Sequence, residues 1–214
     1  APYPPNYLNS AQQKAGWKLL FDGTTTNGWR GFRSKGFPAK GWKVENGALV
    51  HEPRGGGGDI ITSETYGDFD LEFEWAIDQG GNSGVMYRVT EEAKQTYFTG
   101  PEYQVFDDGP EPKHSLTSAG SLYGLAAPPK DKVLLAPGRF NHGRIRLQDG
   151  WIEHWLNGQQ VARLQLGSED WNQRVGASKF SKWPLFAKAK RGHIALQDHG
   201  NGVRFRSLRI RSLD

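Results

Sequence analysis

The sequence of 214 residues predicts an all-β fold, a two-sheet antiparallel jelly-roll sandwich. Three observations predict it. Apolar and polar residues alternate with the period of two that a half-buried strand requires, and helical periodicity hardly appears. About a dozen such runs are separated by short turn signals, the spacing of a sandwich or barrel. The 28 glycines and 8 tryptophans match glycine-rich turns between aromatic-rich strands. The length suits one domain over 1–214, and no repeat, low-complexity tract or linker divides it.

From the N-terminus, residues 17–21 and 42–51 read as short strands, with Asn46-Gly47 as a type I′ turn signal. Residues 55–58, all glycine, read as a flexible connection. They make no phosphate cradle, because no Lys-Ser/Thr pair follows and no helix opens after them. Residues 59–63 are a further short strand. The clearest strand is 69–77, with Phe69, Leu71, Phe73, Trp75 and Ile77 on one face and Asp70, Glu72, Glu74 and Ala76 on the other. Strands follow at 85–90 and 102–106. Asp149-Gly150 and Asn157-Gly158 then link 144–148, 152–157 and 160–166 into a meander. The chain closes with strands at 194–198 and 203–210. Residues 179–190 break the pattern and predict a short helix, which Pro184 limits to a turn or two.

Composition excludes several classes. With no cysteine there is no disulfide and no thiolate zinc site, which leaves the compartment open. The net charge of +4 comes from 27 basic and 23 acidic residues interspersed along strands, clustered only at Lys188, Lys190 and Arg191. No nucleic-acid partner is expected from such a pattern. No run of 18 apolar residues is present, so no membrane-spanning helix is predicted. The small residue and proline-rich lead of Ala1 to Pro5 look like a mature N-terminus left after signal cleavage.

Common catalytic motifs are missing. Gly80-Gly81-Asn82-Ser83-Gly84 invites comparison with a nucleophile elbow, but the glycine required two places after the serine is Val85. There is no His-Glu-x-x-His, Walker or EF-hand pattern. What remains is polar groups on strand faces turned from the core. Glu72 and Glu74 share one such face, where charges are ordinary. Glu102 and Gln104 are in phase on their strand, Asp107 and Asp108 follow, and His114 closes a loop rich in Gly and Pro. Titratable groups converging in this way suit general acid and base work. Gln197 and His199 project together near the C-terminus. His154 is in phase with Ile152 and Leu156, so it reads equally as a core histidine or as a functional one. Arg88 is a candidate clamp and Tyr123 a candidate stacking or proton-bearing group. A divalent cation would need His, Asp or Glu ligands, which suits calcium, manganese or a His-rich zinc site, and spacing identifies none of them.

Five strings, in order, carry a resemblance. They are Trp17-Lys18-Leu19-Leu20-Phe21-Asp22-Gly23 with Asn27-Gly28-Trp29; Asn82-Ser83-Gly84-Val85; Glu102-Tyr103-Gln104; His154-Trp155-Leu156-Asn157-Gly158; and Ile194-Ala195-Leu196-Gln197-Asp198-His199-Gly200. Over nearly its whole length the chain resembles the 3-keto-disaccharide hydrolase family. The resemblance implies a concanavalin A-like lectin/glucanase sandwich, a secreted or periplasmic location, and a carbohydrate substrate oxidised at C3. A C3 ketone acidifies the C2 hydrogen, so a base can remove it, the aglycone leaves from C1, and water adds to the double bond. That chemistry calls for a base, an acid and a group to hold the enolate, each proton-transfer group typically contributing about 10²–10⁴-fold. On this reading Glu102, Asp107 and His114 form the set, with Glu74 as a further carboxylate. Arg88, Gln104, Tyr123, Gln197 and His199, with His154, orient the sugar. His114 and His199 could instead hold a divalent ion. The rival readings are a conventional two-carboxylate glucan hydrolase and a non-catalytic carbohydrate-binding module.

Overall fold

The computed structural model describes residues 3–111 and 113–214. The reading of the first residues as a processed terminus rests partly on Ala1 and Pro2, which lie outside the described residues. In chain order the strands are β1 (Lys18–Leu19), β2 (Trp29–Gly31), β3 (Trp42–Glu45), β4 (Ala48–His51), β5 (Ile60–Thr62), β6 (Phe69–Ile77) and β7 (Asn82–Val89). They continue with β8 (Glu102–Phe106), β9 (Asn141–Gln148), β10 (Trp151–Leu156), β11 (Gln159–Gln165), β12 (His193–Leu196) and β13 (Val203–Ser212). An eight-stranded sheet runs β11-β10-β9-β6-β13-β4-β3, with β1 also on β13, and a five-stranded sheet runs β2-β5-β12-β7-β8. The pairings are antiparallel, so the predicted all-β two-sheet sandwich is what the chain forms.

The turn chemistry explains the hairpins. Asn46, Asp149 and Asn157 all have φ near +50°, and each is followed by a glycine with positive φ, the pair of left-handed residues that a type I′ turn requires. The predicted strand 42–51 is therefore two strands folded about Asn46-Gly47.

Alternation in β6 builds the core. Phe69, Leu71, Phe73 and Trp75 are fully buried between the sheets. The ring of Phe73 meets Tyr103 of β8 edge-on at 5.2 Å, and Phe69 meets Tyr87 of β7 at 5.8 Å. On the opposite face of β6 every carboxylate answers an arginine. Asp70 binds Arg144 at 2.7 Å and Arg211 at 3.1 Å, Glu72 binds Arg209, and Glu74 binds Arg206 at 3.1 Å. Burial works to raise the Glu72 pKa, but His142 at 3.9 Å and the hydrogen-bonded Arg209 prevail and hold it down at about 2.

Among the described residues four elements lie outside the sequence expectation: β2, α1 (Ser10–Lys14), the 3₁₀ turn Thr96–Phe98 and α2 (Glu169–Gly176). Helix α2 does carry local signals: Ser168 Oγ accepts from the Trp171 N–H, two acidic residues open it, and Arg174 closes it. At eight residues it is too short for periodicity to reveal. The expected helix over 179–190 is only the 3₁₀ turn Lys179–Lys182, which ends ahead of Pro184. The glycine run 55–58 is no loose connection. The Gly56 carbonyl faces His51 Nε2 at 2.9 Å, the Gly58 N–H donates to Asp198 at 3.0 Å, and the backbone packs so tightly on Gly41 that a Cβ there would lie 1.8 Å from the Gly56 oxygen.

Candidate active site

In the five-stranded sheet, Val85, Tyr87, Tyr103 and Val105 point into the inter-sheet core. Their neighbours on β7 and β8 must then point outward. Register sets Gly84 opposite Gln104 and Met86 opposite Glu102, while Ala195 of β12 flanks Met86 on the other side. A small apolar floor of Ile61, Met86, Val89 and Ala195 results, overhung by Tyr97.

Beside this floor lies a cleft of about 170 Å³ lined by Glu102, Gln104, Gln197 and His199 together with Asn82, Tyr97, Tyr123 and Lys179. It brings together five of the residues the sequence nominated: Glu102, Gln104, Tyr123, Gln197 and His199. Backbone pairing holds them. The Tyr123 N–H donates to the Glu102 carbonyl at 3.0 Å, the Gly120 N–H to the Gln104 carbonyl at 2.9 Å, and the Gln197 N–H to the Gly84 carbonyl at 3.0 Å. The Asn82 N–H donates to Asn201 Oδ1 at 3.0 Å, which ties the end of β7 to the turn that carries His199.

Glu102 is the carboxylate of the cleft. Its side chain lies across Gly84 and is buried, and burial drives its pKa from 4.5 up to about 8, with the Lys179 charge opposing and the Asp59 charge reinforcing the shift. Asp59, just before β5, accepts from Thr96 Oγ1 at 2.5 Å and from the Asp198 N–H at 2.8 Å, and burial raises its pKa too. Tyr123 is also pushed above its ordinary value by burial, then by the Glu102 charge, so its phenol keeps its proton. Gln104 Nε2 donates to the Thr117 carbonyl at 2.9 Å while its Oε1 has no partner, and the buried Gln197 Oε1 has none either. Buried acceptors left open are costly in a finished fold, and here both belong to residues lining the cleft.

Five nominated residues lie elsewhere. Glu74 is on the outer face of the eight-stranded sheet, bound to Arg206 and to Ser207 Oγ at 2.6 Å. Asp107 caps two turns, accepting from the Gly80 N–H at 2.7 Å and the Gly109 N–H at 3.0 Å, and it borders a separate groove beside Pro137. His114 is exposed on the loop before Thr117 and is not part of the cleft lining. His154 is fully buried between the sheets, its Nε2 2.9 Å from the Tyr87 hydroxyl and its Nδ1 3.3 Å from the Gly120 carbonyl, and burial lowers its pKa to about 4. It is a core histidine. Arg88 is displaced by a β-bulge: between paired positions β7 has two residues where β12 has one, and Arg88 takes φ +52°. The bulge breaks the alternation and carries the guanidinium to Asp68, at 2.8 Å.

Sequence reasoning missed Lys179, Tyr97 and Asn82 as lining residues. Asn82 had a signal, being two residues from Gly84 and in phase with it. Lys179 and Tyr97 reach the cleft only because two distant 3₁₀ turns pack together, through Trp183 on Phe98 at 4.3 Å and on Tyr97 at 5.6 Å. Among the described residues no three His, Asp or Glu side chains converge as metal ligands would, and the structure does not bring His114 to His199.

Comparison with known proteins adds to this geometry. Residues 16–211 match the family model of the 3-keto-alpha-glucoside-1,2-lyase-like domain. A 3-keto-disaccharide hydrolase of Bacteroides thetaiotaomicron is 34% identical over 233 residues, covering 93% of this chain and 79% of the relative. A crystal structure from Parabacteroides distasonis, which carries the designation glycosyl hydrolase, superposes with a TM-score of 0.87 at 35% identity, covering 99% of this chain and 100% of the other. The β-glucanase of Bacillus licheniformis, at 10% identity and a TM-score of 0.50, covers 92% of this chain and 97% of its own and is alike in fold alone. The sandwich is thus of the glucanase type that the sequence strings implied.

Proposed function

From the premise that the chain belongs to the 3-keto-alpha-glucoside-1,2-lyase-like family, we propose that this glycoside-acting enzyme cleaves glycosides already oxidised at C3 of the sugar. The observation that carries the reading is the buried Glu102 carboxyl, basic to about 8, set in a cleft sized for one ring. At about 170 Å³ the cleft is well below the roughly 300–1,000 Å³ of pockets that enclose a drug-sized ligand. It suits a single pyranose with the aglycone outside.

Each step has an agent. The open acceptors Gln104 Oε1 and Gln197 Oε1 take hydrogen bonds from sugar hydroxyls, and the Tyr123 phenol donates one. Glu102, ionised, removes the proton from C2, and the electron pair moves into the C3 carbonyl. A carboxylate with raised basicity is a better base for such a C–H bond, and near-neutral tuning of this kind is how acid–base groups are matched to working pH. As the enolate re-forms its carbonyl, C1=C2 forms, the C1–O1 bond breaks, and His199 at the cleft edge protonates O1. Water then adds at C1 and a proton returns to C2, so the sum is hydrolysis.

The conventional glycosidase reading needs two carboxyl groups astride one bond, about 5–9.5 Å apart. Glu102 is the one carboxylate among the described lining residues, which favours the elimination route. The test is turnover of a matched pair, methyl glucoside and its 3-keto derivative. We expect product from the 3-keto compound alone, loss of it in Glu102→Gln, and wash-in of solvent deuterium at C2. Cleavage of the plain glucoside at an equal rate overturns the proposal.

A further inference from the structure

The geometry points to Lys179 as a further catalytic residue, the cation that stands against the enolate oxygen when C2 is deprotonated. This rests on the proposed 3-keto chemistry and adds the group that chemistry still lacks, a positive charge at the developing oxyanion. No other nominated residue is free for this: Arg88 is held at Asp68, His114 stays out of the cleft, and His199 gives its proton to the departing O1.

The ammonium of Lys179 lines the cleft and is held there by aromatic faces. Its Nζ stands 4.6 Å from the centre of the Tyr123 ring and 5.4 Å from that of Tyr97, with Phe180 at 5.6 Å and Trp183 at 5.9 Å behind. Lys179 is exposed, and a lysine with no neighbours swings freely through water; here four ring faces attract the cation and narrow its range. The packing that builds the cage is itself well fixed. Trp183 stacks on Phe98 at 4.3 Å, and Phe180 stacks on Phe186 at 4.1 Å. Ring faces hold the charge without neutralising it, unlike the carboxylates that answer most arginines of the opposite sheet.

The electrostatic relation to Glu102 fits the role. The Lys179 charge opposes the burial effect on Glu102, so the cation is felt at the carboxyl. When Glu102 takes the C2 proton it becomes neutral, and the negative charge moves onto the C3 oxygen across the same small space. The cation then transfers its attraction from carboxylate to enolate without moving far. Pre-placed charge of this kind acts in the transition state and needs no reorganisation. The step balances: one proton passes from C2 to Glu102, the C–H pair becomes the C2=C3 bond, the carbonyl π pair rests on O3, and Lys179 keeps all its protons.

The experiment separates enolisation from cleavage. 3-Keto-1,5-anhydroglucitol has the ketone and the C2 hydrogen but no leaving group at C1, so exchange of C2–H for deuterium in D₂O reports the first step alone. Lys179→Met is expected to slow this exchange, and kcat on methyl 3-keto-glucoside, by about 10²–10³-fold, the loss typical of one oxyanion-stabilising group, with a smaller change in KM. Lys179→Arg should recover part of both. The ascending limb of the pH–rate profile should move to higher pH in Lys179→Met, since the charge that eases Glu102 ionisation is gone. Exchange that is fast in the unaltered protein and equally fast in Lys179→Met overturns the assignment and leaves the 3-keto reading intact. If the unaltered protein neither exchanges the C2 hydrogen nor cleaves the 3-keto-glucoside, both fall together.

Discussion

The Glu102 carboxyl lies so close over Gly84 that a Cβ placed on that glycine would sit 2.1 Å from Glu102 Oε1. The glycine of the Asn82-Ser83-Gly84 string is therefore room for the carboxylate, and its φ lies outside the left-handed region that would call for glycine on backbone grounds.

Gly84→Ala should move the carboxyl while leaving the strand unstrained. A displacement of about 1 Å at a reacting group can cost on the order of 10²-fold in rate. We expect kcat/KM to fall by that order with only a small change in melting temperature. Full activity in this variant means that Glu102 does not act from its observed position.

The raised Glu102 pKa has two signatures. On the proposed mechanism Glu102 must be ionised to take the proton, so kcat/KM is expected to rise with pH and level off above about 8. Stability runs the other way. The folded form holds its proton up to about 8 whereas the unfolded chain releases it near 4.5, so the unfolded state binds fewer protons across that window and stability falls as pH rises through it. The loss is on the order of 5 kcal/mol at most, because each tenfold difference in proton affinity is worth about 1.4 kcal/mol. Denaturation of Glu102→Gln at pH 5 and pH 8.5 should show this slope removed.

His154 predicts the acid side. With the folded pKa lowered from 6.5 to about 4, the unfolded chain binds the proton first, so stability is lost as pH falls from about 6.5 towards 4. His154→Leu should flatten that limb and cost about 1–3 kcal/mol at pH 7, because the Gly120 carbonyl loses a partner. Turnover by the folded fraction should stay within a few-fold, which a substrate-binding residue would not permit.

Asp108 and Lys132 form a fully buried ion pair at 2.7 Å. Lys132 Nζ also donates to the Ala119 carbonyl at 2.7 Å, and Asp108 accepts from the Ala119 N–H at 2.9 Å. Together they hold the loop whose Thr117 carbonyl receives Gln104. Asp108→Asn or Lys132→Met alone should destabilise by about 3–5 kcal/mol, because each leaves the other charge buried and unpaired. The double variant should be less unstable than the single effects added, read by denaturant titration.

Glu74→Gln and His114→Ala should keep turnover within a few-fold, and Asp107→Asn should do so after allowance for weakened turns. A hundredfold loss in any of them at unchanged stability would place the site differently.

The sequence by itself determined the architecture. Period-two alternation in residues 69–77 and the Asn-Gly and Asp-Gly pairs specify strands and hairpins through contacts between near neighbours, and those are legible in one dimension. It also located the outward faces of β8 and β12, and with them Glu102, Gln104 and Gln197. Only the tertiary structure decided which outward residues meet. Glu74 is as outward as Glu102 but lies on the other sheet, so no local pattern could part them. The bulge at Arg88 reversed a phase that alternation alone would have continued. Lys179 and Tyr97 come to the cleft through aromatic packing between turns more than eighty residues apart in the sequence. Convergence depends on long-range packing of many side chains at once, and strand periodicity carries no record of it.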